Sequence, residues 1–233
     1  GQALYPKSHP YGHTVIGSMN DLNAASLDDV KQWFRTWYGP NNAVLVLAGD
    51  IDVKTAREKV AKYFGHIPAS PTMAQPKVDV AVRSQSTREV MQDKVPAVRV
   101  YRAWNVAQVG TTDIDQLQVL GFVLGGSKSS RLDTRLLHGD KLVDNISAGA
   151  YASQLGSNFM ISATIKDGVD PAKVEAIIDE ELRKLIAEGP TAAELSQAKV
   201  ATRASFIRGI ERIGGFGGKA DALAECAIYT GNP

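Results

Sequence analysis

Residues 145–190 read NISAGAYASQLGSNFMISATIKDGVDPAKVEAIIDEELRKLIAEGP, and this stretch decides the fold class. Two runs, Asn145–Ala152 and Phe159–Ile165, are joined by Gln154-Leu155-Gly156-Ser157, a composition suited to a short connection between strands. Asp170-Pro171 then opens a helix. Val174, Ile177, Ile178, Leu182, Leu185 and Ile186 keep a 3.6-residue period, and Gly189-Pro190 stops it. Thr191 and Glu194 form a T-x-x-E capping box for a second long helix reaching about Glu211. Strands grouped apart from helices predict antiparallel pairing and an α+β fold.

Upstream, Thr87–Gln92 and Val98–Val106 alternate weakly and are expected to be strands. Thr112 is read as the cap of a helix over Asp113–Leu124, with Leu117, Leu120 and Leu124 on one face. Gly125-Gly126-Ser127 breaks it, and a short helix over Ser129–His138 follows. Residues 71–84, with Pro71, Pro76 and small polar neighbours, hold no period and read as a linker. It divides residues 1–70 from residues 85–233. In the first part, Ser26 and Asp29 make a short-armed capping box for a helix over Leu27–Tyr38. Its apolar stripe is Val30, Trp33, Phe34 and Trp37, and Gly39-Pro40 ends it. The apolar run Ala43–Ala48 is expected to be a strand, and Val53–Phe64 a helix. At the far end, the glycine cluster Gly214–Gly218 separates a last helix near Lys219–Tyr229. The opening GQALYPKSHPYGH and the closing YTGNP read as cut ends, so an internal fragment, truncated at its end, is expected.

Composition narrows the function. Of 233 residues, 44% are hydrophobic, enough for a sizeable core. The 26 basic and 25 acidic residues are interleaved, which argues against a nucleic-acid partner. Cys226 stands alone, excluding an intramolecular disulfide and a cysteine-rich metal site. No apolar run reaches the ~18–20 residues that span a bilayer, and no signal peptide opens the sequence.

The residues that carry chemistry do not assemble into a recognisable site. His9, His13, His66 and His138 are the metal-ligand candidates. The i, i+4 spacing of His9 and His13 loses its meaning because Pro10 and Gly12 between them enforce a turn. H-E-x-x-H and H-x-x-E-H are both missing. Gly214–Lys219 imitates a phosphate loop, but Ile213 and Ala220 stand where Gly and Ser/Thr are required, and the cluster follows a helix. There is no G-x-S-x-G elbow. Catalytic residues and metal ligands are therefore expected to be none.

Several segments, in order, resemble zinc peptidases of the insulinase/pitrilysin family, especially the mitochondrial-processing-peptidase-like members. They are His9-Pro10-Tyr11-Gly12 with Ile16-Gly17 and Asp21-Leu22, Trp37-Tyr38-Gly39-Pro40-Asn41-Asn42-Ala43, and Val46–Asp50. Leu124-Gly125-Gly126 with Ser129–Leu132, and Gly189–Leu195 leading to Ala198-Lys199, continue the series. The resemblance implies repeated domains, each a sheet with helices packed on one face. Residues 1–70 would close a first, zinc-type domain whose zinc motif is missing, and residues 85–233 would form most of a second, metal-free domain. It implies zinc in the parent protein and none bound by this segment. An unfolded peptide is the implied substrate, with the missing domains or a partner subunit completing a closed chamber. A periplasmic location follows for a bacterial parent. The family's Arg and Tyr, which hold the peptide carbonyl near zinc, fall at Leu137 and Asp144, where neither side chain does that job. That pair is expected from another half of the polypeptide or from a partner subunit. The alternative reading is a non-enzymatic scaffold or core subunit that keeps the fold without the metal. A domain cut from its neighbours is expected to expose apolar surface and to self-associate.

Overall fold

A computed structural model describes residues 2–72, 74 and 76–233. Along the chain run helices α1 (Met19–Ala24), α2 (Leu27–Trp37) and α3 (Val53–Phe64), then strand β1 (Arg99–Val106) and helix α4 (Thr112–Gly125). Strands β2 (Val143–Tyr151) and β3 (Ser157–Ile165) follow, then helices α5 (Pro171–Glu188), α6 (Ala192–Glu211) and α7 (Lys219–Thr230). Contacts divide the chain into two compact units: Gly1–Gly12 with Val78–Arg203, and His13–Lys77 with Ala204–Pro233.

The first unit is an antiparallel sheet of order β1-β3-β2. Alternation along a strand sends successive side chains to opposite faces. On β3 the buried set is Ser157, Phe159, Ile161, Ala163 and Ile165. Across the ladder, Ile161 lies opposite Ala148 of β2 and Arg102 of β1. Helix α5 begins at Asp170, whose carboxylate accepts from the Ala172 amide at 2.9 Å, with Pro171 in the first turn. It buries Val174, Ile177, Ile178 and Leu185 in the same cluster as the inner strand residues.

Helix α4 is capped by Thr111, one residue before the expected Thr112, with the Thr111 hydroxyl accepting from Ile114 N–H. It packs directly on β2, and two glycines permit the approach. A Cβ on Gly121 would lie 2.8 Å from Gly149 Cα, and one on Gly125 2.7 Å from the Ala148 nitrogen. Gly125 is thus the last residue of the helix and also its contact with the sheet, a role beyond the expected helix stop. The short helix expected over Ser129–His138 is present as a π-helical segment, Asp133–Gly139, with Leu136 fully buried.

The second unit is built differently. Its helix ends are well made: the Ser26/Asp29 capping box is complete in both directions, and Asp52 accepts from the Thr55 amide at 2.9 Å. The turn after α2 is tied by Asn41, which donates to Ser70 O (3.0 Å) and accepts from Ser70 N–H (2.8 Å). The Ser70 hydroxyl donates to Arg35 O at 2.8 Å, and a side chain on Gly39 would overlap Ser70. Yet α1, α2, α3 and α7 bury no residue. Side-chain caps at Ser18, Ser26 and Asp52 start α1, α2 and α3, α7 has no side-chain cap, and among the described residues none of the four is anchored by a buried apolar side chain.

Two sequence expectations fail here. Ala43–Ala48 begins extended (Ala43 φ −134°, ψ 145°) but joins no ladder, and Val44, Leu45 and Leu47 stay exposed. Thr87–Gln92 likewise forms no strand, with Val90 and Met91 strongly exposed. A strand is completed by hydrogen bonds to a neighbour. Among the described residues neither run has one.

Candidate functional site

The two faces of the sheet differ in chemistry. Arg102, on the helix side, forms an ion pair with Asp179 of α5 and meets Glu175 at 3.4 Å; Arg88 bonds Glu175 at 2.6 Å and 2.8 Å. Bonding to Arg88, then to Arg102, holds the Glu175 carboxyl below its ordinary range. Charge on that side is neutralised within the fold.

The side chains of the opposite face are exposed or half-buried. Register places Arg99, Thr164 and Asn145 in one cross-strand row, and Tyr101, Ser162 and Ser147 in the next. The Ser147 and Ser162 hydroxyls lie 2.8 Å apart. A recess of about 320 Å³ opens here, lined by Arg99, Tyr101, Asn145, Ser162, Ala163 and Thr164. Further along, Ala103, Met160 and Gly149 form a less polar row, then Asn105, Asn158 and Tyr151. The Asn105 amide is buried with no partner among the described residues.

The segment before Gly12 belongs to this end of the sheet. The Tyr5 hydroxyl donates to Gly156 O (3.2 Å), and the Tyr11 oxygen accepts from Leu155 N–H (3.1 Å). Burial pushes the Tyr5 phenol up, opposed by its bond to Asn158. His9-Pro10-Tyr11-Gly12 is a turn, as its composition predicts: Gly12 N–H donates to His9 O at 2.7 Å. His9 is buried and stacked on Tyr5 at 4.7 Å, and its Nδ1 accepts from Tyr11 N–H at 3.0 Å.

These positions test the fit of zinc. His9 has one ring nitrogen committed to the turn, and His13, His66 and His138 are exposed. Among the described residues, no group of three or more His, Cys, Asp or Glu side chains is gathered to hold a metal. The described residues do not fit zinc. Asp133, which is buried, is bound by the Ser130 hydroxyl at 2.6 Å, and Cys226 is exposed on α7.

Leu137 and Asp144 occupy different environments. Leu137 is partly buried and packs against the core. Asp144 is exposed where the β2 register shifts between Val143 and Asn145. An alkyl chain offers no hydrogen bond, and an ionised carboxylate only accepts.

Arg131, within the Ser129–Leu132 motif, has a structural part. Its guanidinium bonds both Glu194 oxygens (2.7 Å and 2.8 Å) and Gly189 O (3.1 Å). Glu194 also closes the expected capping box with Thr191. Arg131 first, with the Thr191 bonds adding, lowers the Glu194 carboxyl to about 2. A second recess, between Arg135 and Asp140 and the Lys173–Arg183 side of α5, mixes both charge signs and reads as a solvated network.

The polar sheet face was not singled out from sequence. Its signal was present in the alternation of SNFMISATI, where Asn158, Met160, Ser162 and Thr164 share a face. The rows across the sheet needed the register.

Comparison with known proteins gives the same assignment. Residues 24–201 match the family described as the Peptidase M16 inactive domain. The chain is 29% identical over 210 residues to zinc protease PqqE of Helicobacter pylori, covering 87% of this chain and 46% of that protein. It is 24% identical over 196 residues to the non-peptidase homolog YmxG of the same organism, covering 82% and 44%. The crystal structure of a protease from Helicobacter pylori superposes with a TM-score of 0.76 at 28% identity, over 95% of this chain and 53% of that one. The chain thus spans about half the length of the curated relatives it matches. With its α+β layers and a match over most of its length, this chain belongs to the M16 peptidase inactive-domain family.

Proposed function

We propose that this chain is a non-catalytic part of a zinc-dependent metalloendopeptidase that degrades or processes peptides in a closed chamber. The observation that carries this reading is the two-faced sheet: helices and an apolar core on one side, a polar open row of Arg99, Tyr101, Asn145, Ser147, Ser162 and Thr164 on the other. A face of hydroxyls, amides and one guanidinium suits a chamber wall that meets peptide backbone without holding one sequence. The exposed apolar helices from α1 to α3 serve as a packing surface for the rest of the parent protein. In domain terms, residues 1–70 belong to a first, zinc-type domain, 71–84 link, and 85–233 form the metal-free second domain. The parent supplies zinc and also the Arg/Tyr pair, from another half or a partner subunit, because Leu137 and Asp144 lack the chemistry. A periplasmic setting for a bacterial parent completes the proposal.

Zinc content of the purified chain, paired with a quenched-peptide cleavage assay, tests it. Sub-stoichiometric zinc and no cleavage are expected. One tightly bound zinc per chain, or turnover by the chain alone, overturns the non-catalytic assignment. A structure of the whole parent with Leu137 and Asp144 remote from the cleft overturns their register. A scaffold without metal is the second reading, supported by likeness to a relative named a non-peptidase homolog. Presence of H-x-x-E-H elsewhere in the parent's coding sequence decides against it.

A further inference from the structure

The open sheet face carries a cation that the fold leaves unneutralised. Arg99 is exposed, opposite Thr164 and in line with Asn145. Among the described residues no carboxylate comes within ion-pair distance of it, whereas Arg102, three positions on and facing α5, is doubly paired. The recess beside Arg99 is lined by hydrogen-bonding groups, the Tyr101, Ser162 and Thr164 hydroxyls and the Asn145 amide, and by no acidic side chain. Asp144, the neighbouring acid on β2, is exposed and does not line it. A volume of about 320 Å³ admits one side chain of moderate size.

We infer that this recess is a subsite for an acidic side chain, the carboxylate of Glu or Asp in an extended peptide. The inference rests on the chamber-wall reading and adds a preference to it. Charge complementarity selects the occupant: a guanidinium in a fork geometry with hydroxyl and amide donors around it matches a carboxylate. Strand β1 lies at the edge of the sheet, and its outer side pairs with no strand among the described residues. An extended peptide laid along that edge sends every second side chain onto the open face. One of these reaches the row of Arg99, Thr164 and Asn145. A lysine at the same peptide position would meet Arg99 as a like charge and be disfavoured.

The test is an NMR titration of the isotope-labelled chain with capped peptides, acetyl-Ala-Val-X-Val-Ala-amide, where X is Glu, Gln or Lys. The Glu peptide is expected to move the amide resonances of Tyr101, Ser162 and Thr164 and to bind about two- to fivefold tighter than the Gln peptide, the range of an exposed ion pair. Arg99→Gln removes that preference and Arg99→Lys retains most of it, with melting temperatures unchanged because the side chain is exposed. Equal binding of the Glu and Gln peptides, or a preference that survives Arg99→Gln, overturns the subsite. If the open-face resonances move without charge preference, the subsite falls while the chamber wall stands. If no peptide moves them, both fall. Should only an uncapped Gln peptide gain affinity, the group bound is a chain terminus and the side-chain assignment is wrong.

Discussion

At the scale of single residues, the ion pair of Arg131 and Glu194 links two motifs that lie 63 positions apart. The capping box at Thr191 was legible because its partners are three residues apart. Arg131 was legible only as part of a resemblance, since nothing local marks its partner. The lowered Glu194 carboxyl has a defined pH consequence. Its folded value, about 2, lies below its ordinary value, so its contribution is present above about pH 4.5 and is lost as pH falls toward 2. Glu194→Gln should cost about 1–2 kcal/mol at pH 7 after allowance for solvent screening. It should also flatten the acid limb of stability between those pH values, measured by urea melts at stepped pH. Gly125 makes a second test. Gly125→Ala puts a Cβ 2.7 Å from the Ala148 nitrogen, backbone that gives way poorly, and should cost about 1–3 kcal/mol. Ala substitution at Gly214, which has open space around it, should change the midpoint far less.

Among the elements, α2 shows how a helix is specified without being buried. Its capping box and period were read from sequence and are present in the structure, but Trp33 and Phe34 stay 57% and 53% exposed. Periodicity states which face wants burial and cannot say what covers it. The apolar run Ala43–Ala48 shows the same division. Its composition suits a strand, and a ladder needs a neighbour outside its own few residues. With α2 and α3 exposing apolar faces beside that run in sequence, concentration-dependent self-association is expected in light scattering. The double substitution Trp33→Gln and Phe34→Gln should reduce it while circular dichroism keeps its helix content. A wild-type chain that stays monomeric at high concentration would contradict this.

For the molecule as a whole, the two units should differ in stability. The sheet unit holds the buried cluster around Leu124, Leu136, Ile161 and Ile178, each side chain contributing about 1.5–3 kcal/mol through burial. The helices α1, α2, α3 and α7 bury none. Hydrogen exchange should therefore find strong protection in β3 and α5 and rapid opening in α2, α3 and α7. Uniform protection across both units would contradict this division. Ile161→Ala should cost about 2–5 kcal/mol and unfold the sheet unit in denaturant well before the wild type.

The amino-acid sequence by itself determined the helices other than α1, the caps at Ser26, Asp170 and Thr191, the stops at Gly39, Gly125 and Gly189, the β2–β3 pair and the α+β class, because those features depend on residues a few positions apart. Tertiary structure decided three other things. It brought Arg99, Asn145 and Thr164 into one row, it set α4 against β2 through Gly121 and Gly125, and it left Ala43–Ala48 without a ladder. Each is a relation between distant segments, fixed by strand register and by how closely backbones can approach, and neither quantity is carried by a local pattern.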